Sequence, residues 1–282
     1  MNNKFLNQTI KFIEESDLLC VKPCIRPVVL EDGGSPTVHM SLFDRMSVNK
    51  INDNTHLSQM IVFTLFDSLL DYIYPESEGL SFKKRYLNLP ETNSIEIVMK
   101  EIYRIFKLIR NSLVHSRDSF NISDSTIDIS YRHNQTKFEL ICKTSVLQYI
   151  NSIVIALSRN VRVSDKYFEL YLLSYYHEII NGIDLFSDDI AMPLKNLTPS
   201  LKFKYRVRYR VPVEMDISKR SGEIELPDFS LNENEHWAGI DYVAQSTSGR
   251  YIIPNEMLGG RKTIDQALIS AWKVSNKNTF AM

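Results

Sequence analysis

Two long runs of apolar residues at helical spacing limit what this chain can fold into. From His56 to Tyr74, Ile61, Val62, Leu65, Phe66, Leu69, Leu70 and Ile73 recur at three- and four-residue steps, and Pro75 ends the pattern. From Asn93 to His115, Ile95, Ile97, Val98, Ile102, Ile105, Phe106, Ile109 and Leu113 do the same. Each run predicts an amphipathic helix whose apolar stripe must be covered by another element. Helical periodicity returns at Leu147–Leu157 and Tyr167–Ile180.

Between these pairs, STIDISYRH and KFELICK alternate apolar and polar residues around Asn134-Gln135, the pattern of an antiparallel hairpin. Residues 1–17 read as a short amphipathic helix. Pro23, Pro27, Gly33, Gly34 and Pro36 make the segment from Leu18 to Met46 loop-rich and extended. After Gly182 prolines recur at 193, 199, 212, 227 and 254 and the runs shorten, which places a boundary near residue 185. A last helix is expected over Thr263–Ser275, capped at Thr263. The fold class read from this is α+β: a loop-rich lead-in over 1–50, a helical domain with a β-hairpin insertion over 51–185, and a small β-rich C-terminal module over 186–282.

Thirty-three basic residues against 34 acidic ones give a net charge of -1, so any polyanion must be held by a local patch rather than by the global field. Cys20, Cys24 and Cys142 form an odd set without zinc-knuckle spacing and read as reduced thiols. The first residues lack the apolar core of a leader, and no stretch is apolar enough for a membrane span, so a cytoplasmic protein without membrane contact is expected. There is no glycine-rich phosphate loop and no Gly-x-Ser-x-Gly elbow. His177-Glu178 begins like a zinc-protease helix, but Asn181 stands where the second histidine is needed. No metal or cofactor is expected.

The second long run ends in Arg110-Asn111-Ser112-Leu113-Val114-His115. Arg110 and His115 sit about 140° apart around a helix, so within one helix they do not share a face, and a second copy of the helix is expected to help form one cleft. With FDSLLDYIY before it and the basic FKKRY segment, this stretch resembles the HEPN superfamily over roughly residues 50–180: its signature is arginine, a polar residue, three further residues and histidine. The resemblance implies a four-helix core, a homodimer, and metal-independent RNA cleavage in a toxin or antiphage defence role, with tRNA or mRNA among the candidate substrates. The ribose 2'-hydroxyl would attack the adjacent phosphate, leaving 2',3'-cyclic phosphate and 5'-hydroxyl ends. Arg110 suits the phosphate charge, His115 acid–base work near neutral pH, and Asn111 can hold a phosphate oxygen or the imidazole. An antitoxin or other regulatory partner is a further expectation. In one branch of the family an antitoxin modifies a tyrosine two residues after the histidine; here that position is Arg117. The alternative is an inert helix end, with Arg110 exposed and His115 set against the helix C-terminus.

Other residues extend the candidate site. Asp67 and Asp71 share a helix face and are candidate orienting carboxylates for Arg110 or His115; a solvated acidic face is the alternative. Lys83, Lys84 and Arg85 with Phe82 and Tyr86 can hold phosphates and stack bases, or form an anchored surface turn. Arg117 is a further RNA-binding candidate. In LKFKYRVRYRV strict alternation sends Lys202, Lys204, Arg206, Arg208 and Arg210 to one strand face at ~7 Å steps, either an RNA-binding stripe or a protected sheet edge. The rival function is a non-catalytic module that binds RNA or protein, with the bundle as dimerisation scaffold. Trp237, Gly239 and Asp241 suggest a folded C-terminal module and name no reaction.

Overall fold

Helical periodicity in the first two-thirds of the chain is realised as helices in the computed structural model. It describes residues 4–15, 25–28, 37–40, 48–115, 119–123, 125–158, 163–204, 208–215, 222–227, 229, 238–258 and 262–275, with backbone alone at 14–15, 25–28, 37–40 and 48–54. Helix α1 is Lys4–Glu15, and strands β1 (Ile25–Val28) and β2 (Thr37–Met40) pair antiparallel. Helix α2 runs Val48–Ile73, eight residues longer at its start than periodicity indicated, and α3 is Phe82–Asn88. Helix α4, Ser94–His115, begins where Asn93 Oδ1 accepts from the Glu96 backbone N–H at 3.0 Å, an N-cap that supplies an acceptor the first helical turn lacks.

Strands β3 (Phe120–Ile122), β4 (Thr126–His133) and β5 (Thr136–Lys143) follow, then α5 (Ser145–Ser158), α6 (Asp165–Asn181) and β6 (Ile183–Ser187). Ser164 caps α6 by accepting from the Tyr167 N–H at 3.1 Å. The turn between β4 and β5 has φ of 47° at Asn134 and 68° at Gln135; two left-handed residues match the right-handed twist of a two-residue hairpin. The antiparallel sheet has the order β3-β4-β5-β6, so residue 185, the expected boundary, lies inside β6 and is bonded into the sheet. Helices α2, α4, α6 and α5 pack in a closed ring, each against the next, and the sheet lies against α4. Helix α4 is therefore covered on several sides, which is why it buries Tyr103, Phe106 and Leu108 together with Lys100, Glu101, Arg104 and Lys107.

In the C-terminal third, β7 (Arg208–Val213) runs parallel to β9 (Gly239–Ser246), which pairs antiparallel with β10 (Gly249–Pro254). Strand β8 (Glu223–Glu225) pairs with β11 (Thr263–Asp265). One connected set of buried apolar side chains runs from Leu6 through the bundle to Trp272. The helix expected over Thr263–Ser275 is shorter: α7 spans only Gln266–Ile269 and a 3-10 turn covers Ser270–Trp272. Thr263-Ile264 is taken into a strand opposite Glu225-Ile224, and the cap falls to Asp265, whose Oδ1 accepts from the Ala267 N–H at 2.9 Å. No helix among the described residues is long and apolar enough to cross a membrane.

Candidate active site

Helix α4 carries a line of cations, Lys100, Arg104, Lys107 and Arg110, at steps of four, three and three residues, which keeps them on neighbouring turns. The first three are neutralised. Lys100 pairs with Glu91 at 2.5 Å and donates to the Leu89 carbonyl. Arg104 makes a two-pronged bond to Asp188, with Nε and Nη2 each 2.6 Å from a carboxylate oxygen. Lys107 pairs with Asp189. Charges this buried survive because each meets its counter-charge at hydrogen-bond distance.

Arg110 differs. Its Nη1 donates to Asn111 Oδ1 at 3.1 Å and to His115 Nε2 at 3.2 Å, and its guanidinium lies 5.7 Å from the Phe82 ring centroid. No carboxylate among the described residues lies within ion-pair distance of it. Both partners are neutral acceptors, because arginine only donates. Nε2 must then offer its lone pair, which assigns the imidazole proton to Nδ1. Arg110 and Asn111 are half-buried and His115 is exposed. The pair expected to stand apart on one helix therefore meets within a single chain, because the reach of arginine exceeds the separation that the helical angle implies.

Asp67 and Asp71 hold a different arginine. Arg85, 4 % exposed, donates from Nη1 to Asp67 Oδ1 and from Nη2 to Asp71 Oδ1, both at 2.7 Å, and from Nη2 to the Asp67 carbonyl. Arg85 is thus committed to an internal ion pair instead of a phosphate, and the two acids orient it instead of Arg110 or His115. Burial pushes the Asp67 carboxyl up despite Arg85; Asp71 adds to the rise, and Arg110 is close enough to oppose it. Tyr86 is buried and donates to Glu101 at 3.1 Å, and Phe82 packs on Phe63 and Tyr103, so neither ring presents a free stacking face. Lys83 and Lys84 remain exposed, Lys83 reaching the Asp189 carbonyl at 2.9 Å.

The cationic strand is also not a stripe. Lys202 and Lys204 are exposed but precede β7 without belonging to a strand, and Arg206, like Arg117, lies outside the described residues. Arg208 is turned inward and buried between Asp241 and Glu256, and Arg210 is half-buried. Alternation failed as a guide here because two carboxylates on the inner side make burial of Arg208 tolerable. Cys142 is buried, and burial, with the Asp184 charge adding, pushes its thiol up to about 12, so it carries no thiolate at neutral pH; Cys20, Cys24 and Trp237 lie outside the described residues. A shallow apolar groove of about 370 Å³ between α1 and α2, lined by Phe5, Phe12, Met60 and Ile61, contains none of the candidate residues.

Three residues around α4 were not singled out from the sequence. The acids Asp188 and Asp189, far along the chain, neutralise Arg104 and Lys107 and leave Arg110 as the exception. Tyr131 of β4 donates to the Leu108 carbonyl of α4 at 3.4 Å, and its signal was present: in STIDISYRH it falls on the same face as Ile127 and Ile129, where a hydroxyl needs a partner.

No protein-family model matches this chain, and no curated protein or solved structure does either.

Proposed function

We propose that this chain is a metal-independent endoribonuclease of the HEPN type, with Arg110 and His115 acting on the scissile phosphate. The observation that carries the reading is the 3.2 Å contact between Arg110 Nη1 and His115 Nε2, made by the one cation of the α4 line that has no carboxylate partner among the described residues. An RNA phosphate entering beside Arg110 would take over guanidinium donors now given to Asn111 and His115. His115 Nε2, released, then accepts the proton of the 2'-hydroxyl as that oxygen attacks phosphorus. Arg110 stabilises the charge that grows on the phosphate oxygens. The 5'-oxygen leaves with a proton, and the products are a 2',3'-cyclic phosphate and a 5'-hydroxyl.

A general acid for the leaving oxygen is the reason to propose a homodimer, in which His115 of a second copy faces the first across one cleft. The ring of α2, α4, α6 and α5, with the motif at the open end of α4, is compatible with the helical core that the resemblance implies. Lys83 and Lys84 on α3 are the cations left to contact flanking phosphates. A toxin or antiphage role follows from the resemblance alone.

The test is cleavage of total RNA and of transfer RNA by purified protein in EDTA, with end-group analysis for cyclic phosphate and light scattering for mass. Wild type should cut as a dimer, and Arg110→Ala and His115→Ala should each lose the activity while remaining folded. Mutants that cut as well as wild type would overturn the site. An inert wild type that still binds RNA through Arg110 would favour the non-catalytic binding module.

A further inference from the structure

The chain leaves β6 at Ser187 and passes over α4 as a strap of residues 188–195, without helix or strand. Both ends of the strap are fixed. Arg104, 2 % exposed, donates to the two carboxylate oxygens of Asp188 at 2.6 Å and to the Met192 and Pro193 carbonyls. At the far end Tyr176 donates to the Lys195 carbonyl at 2.6 Å, and Lys195 pairs with Glu91. Asp189 is held differently. Its carboxylate pairs with Lys107, while Lys83 Nζ donates at 2.9 Å to its backbone carbonyl and not to the carboxylate. The Asp188 side chain is 1 % exposed and that of Asp189 23 %, so water reaches the second pair and not the first.

Asp189 thereby gathers cations that stand beside Arg110. Lys107 lies three residues before Arg110, which puts the two side chains on neighbouring turns of α4, their Cβ atoms about 5–6 Å apart. Lys83 follows Phe82, whose ring centroid lies 5.7 Å from the Arg110 guanidinium. Lys83, Lys107 and Arg110 thus share one carboxylate, that of Asp189, and the nearby Asp67 and Asp71 are taken by Arg85. The cluster carries surplus positive charge. An ammonium is a compact charge with three donors, so Lys107 can exchange a carboxylate oxygen for a phosphate oxygen with little movement of its stem. Arg104, with its donors placed on four oxygens of the strap, has no such freedom.

We propose that Lys107 and Lys83 form a second phosphate subsite beside Arg110, held in the free protein by the Asp189 carboxylate as an internal stand-in for an RNA phosphate. The phosphate next to the scissile one displaces that carboxylate from Lys107, while Asp188 keeps the strap on α4 through Arg104. The subsite rests on the reading of RNA as the ligand at Arg110. Its consequence is a preference for a strand over a single phosphate group, because only consecutive phosphates engage Arg110 and Lys107 together.

Fluorescence anisotropy of a labelled single-stranded RNA with 2'-O-methyl riboses, which lack the attacking hydroxyl, reads binding to the full chain without cleavage. Asp189→Asn keeps the shape of the side chain and removes its charge. It should tighten binding about threefold at low salt and steepen the dependence of log Kd on log salt by roughly 0.7, the mark of one more phosphate contact. Glu225→Gln, which removes the same charge from an exposed position on β8, should leave both unchanged. In a Lys107→Met background the gain from Asp189→Asn should vanish. In Lys83→Ala, at an exposed position that tolerates truncation should Lys107→Met fail to fold, it should shrink. An Asp189→Asn no tighter than Glu225→Gln, or a gain that persists undiminished in Lys107→Met or Lys83→Ala, overturns the proposal. Wild type that binds no RNA overturns both the subsite and the ribonuclease reading. If the binding pattern is as expected but unmodified RNA is not cut, the ribonuclease reading fails and the subsite stands.

Discussion

Arg110 and Arg208 carry the same charge to opposite ends. Arg208, 1 % exposed, places all five N–H donors: Nε on Asp241 at 2.8 Å, Nη1 on Glu256 and the Lys204 carbonyl, Nη2 on Glu256 and the Ile240 carbonyl. Its guanidinium lies 4.1 Å from the Phe203 ring centroid, and Asp241 also accepts from Tyr167 of α6 at 2.6 Å, which ties the sheet to the bundle. Arg110 uses one nitrogen on two neutral acceptors and is half-buried. A guanidinium satisfied at every donor is a cross-link. One whose charge is unmatched beside an imidazole has capacity left for an incoming anion.

The contrast can be broken most sharply at Arg208. Arg208→Ala leaves Asp241 and Glu256 without their cation in a dry environment and should cost about 3–5 kcal/mol in urea unfolding. A cost below about 1 kcal/mol would remove the distinction.

Arg110→Ala should do the reverse. Its unfolding free energy should move by no more than about 1 kcal/mol, as for a partly exposed side chain with no ion pair among the described residues, while initial rates of RNA cleavage should fall by roughly a hundredfold or more.

Gly239→Ala sharpens the structural side. A Cβ there would sit 2.2 Å from Arg208 Nη1 and 3.1 Å from the Lys204 carbonyl, so the guanidinium must move off its acceptors. A loss of about 1–3 kcal/mol is expected by thermal denaturation, with Arg110-dependent cleavage unaffected below the melting range.

The smallest effect is the pH dependence at Glu256. Burial pushes this carboxyl up, but hydrogen bonds from Arg208, its charge and the Lys204 N–H more than offset that and leave it below the ordinary glutamate range. A carboxyl lowered on folding stabilises above its unfolded value, and the contribution is lost as pH falls through the folded one. Glu256→Gln should therefore be destabilised at neutral pH by about 1–2 kcal/mol, with the gap to wild type closing as the solution is acidified below the ordinary glutamate range. A gap constant with pH would show that the charge of Glu256 does not matter. Asp241 shifts the other way, raised by burial against the pull of Arg208, so the difference curve between the two proteins is the measurement to use.

Much of the scaffold was legible before folding. The apolar steps over His56–Tyr74 and Asn93–His115 became α2 and α4, and the alternation around Asn134-Gln135 became the β4–β5 hairpin. The residues of the candidate pair were legible too, as a motif. Their contact was not: the helical angle argued against it, and the extended arginine side chain makes it within one helix. The role of each charge was even less legible. Arg85, Lys202, Lys204 and Arg208 all read as phosphate contacts, yet Arg85 is held by Asp67 and Asp71, and Arg208 by Asp241 and Glu256, 33 and 48 residues away.

Periodicity is local: each residue adds its preference within a turn or a pleat, so the order of side chains alone determined where helices and the hairpin form. Charge neutralisation is not local. Whether a cation is a cross-link or an anion site depends on which distant carboxylate the fold brings within about 4 Å and how much water remains between them, because the interaction strengthens steeply as solvent leaves. Only the tertiary structure decided that, leaving Arg110 without a carboxylate partner among the described residues while Arg104, Lys107 and Arg208 were matched.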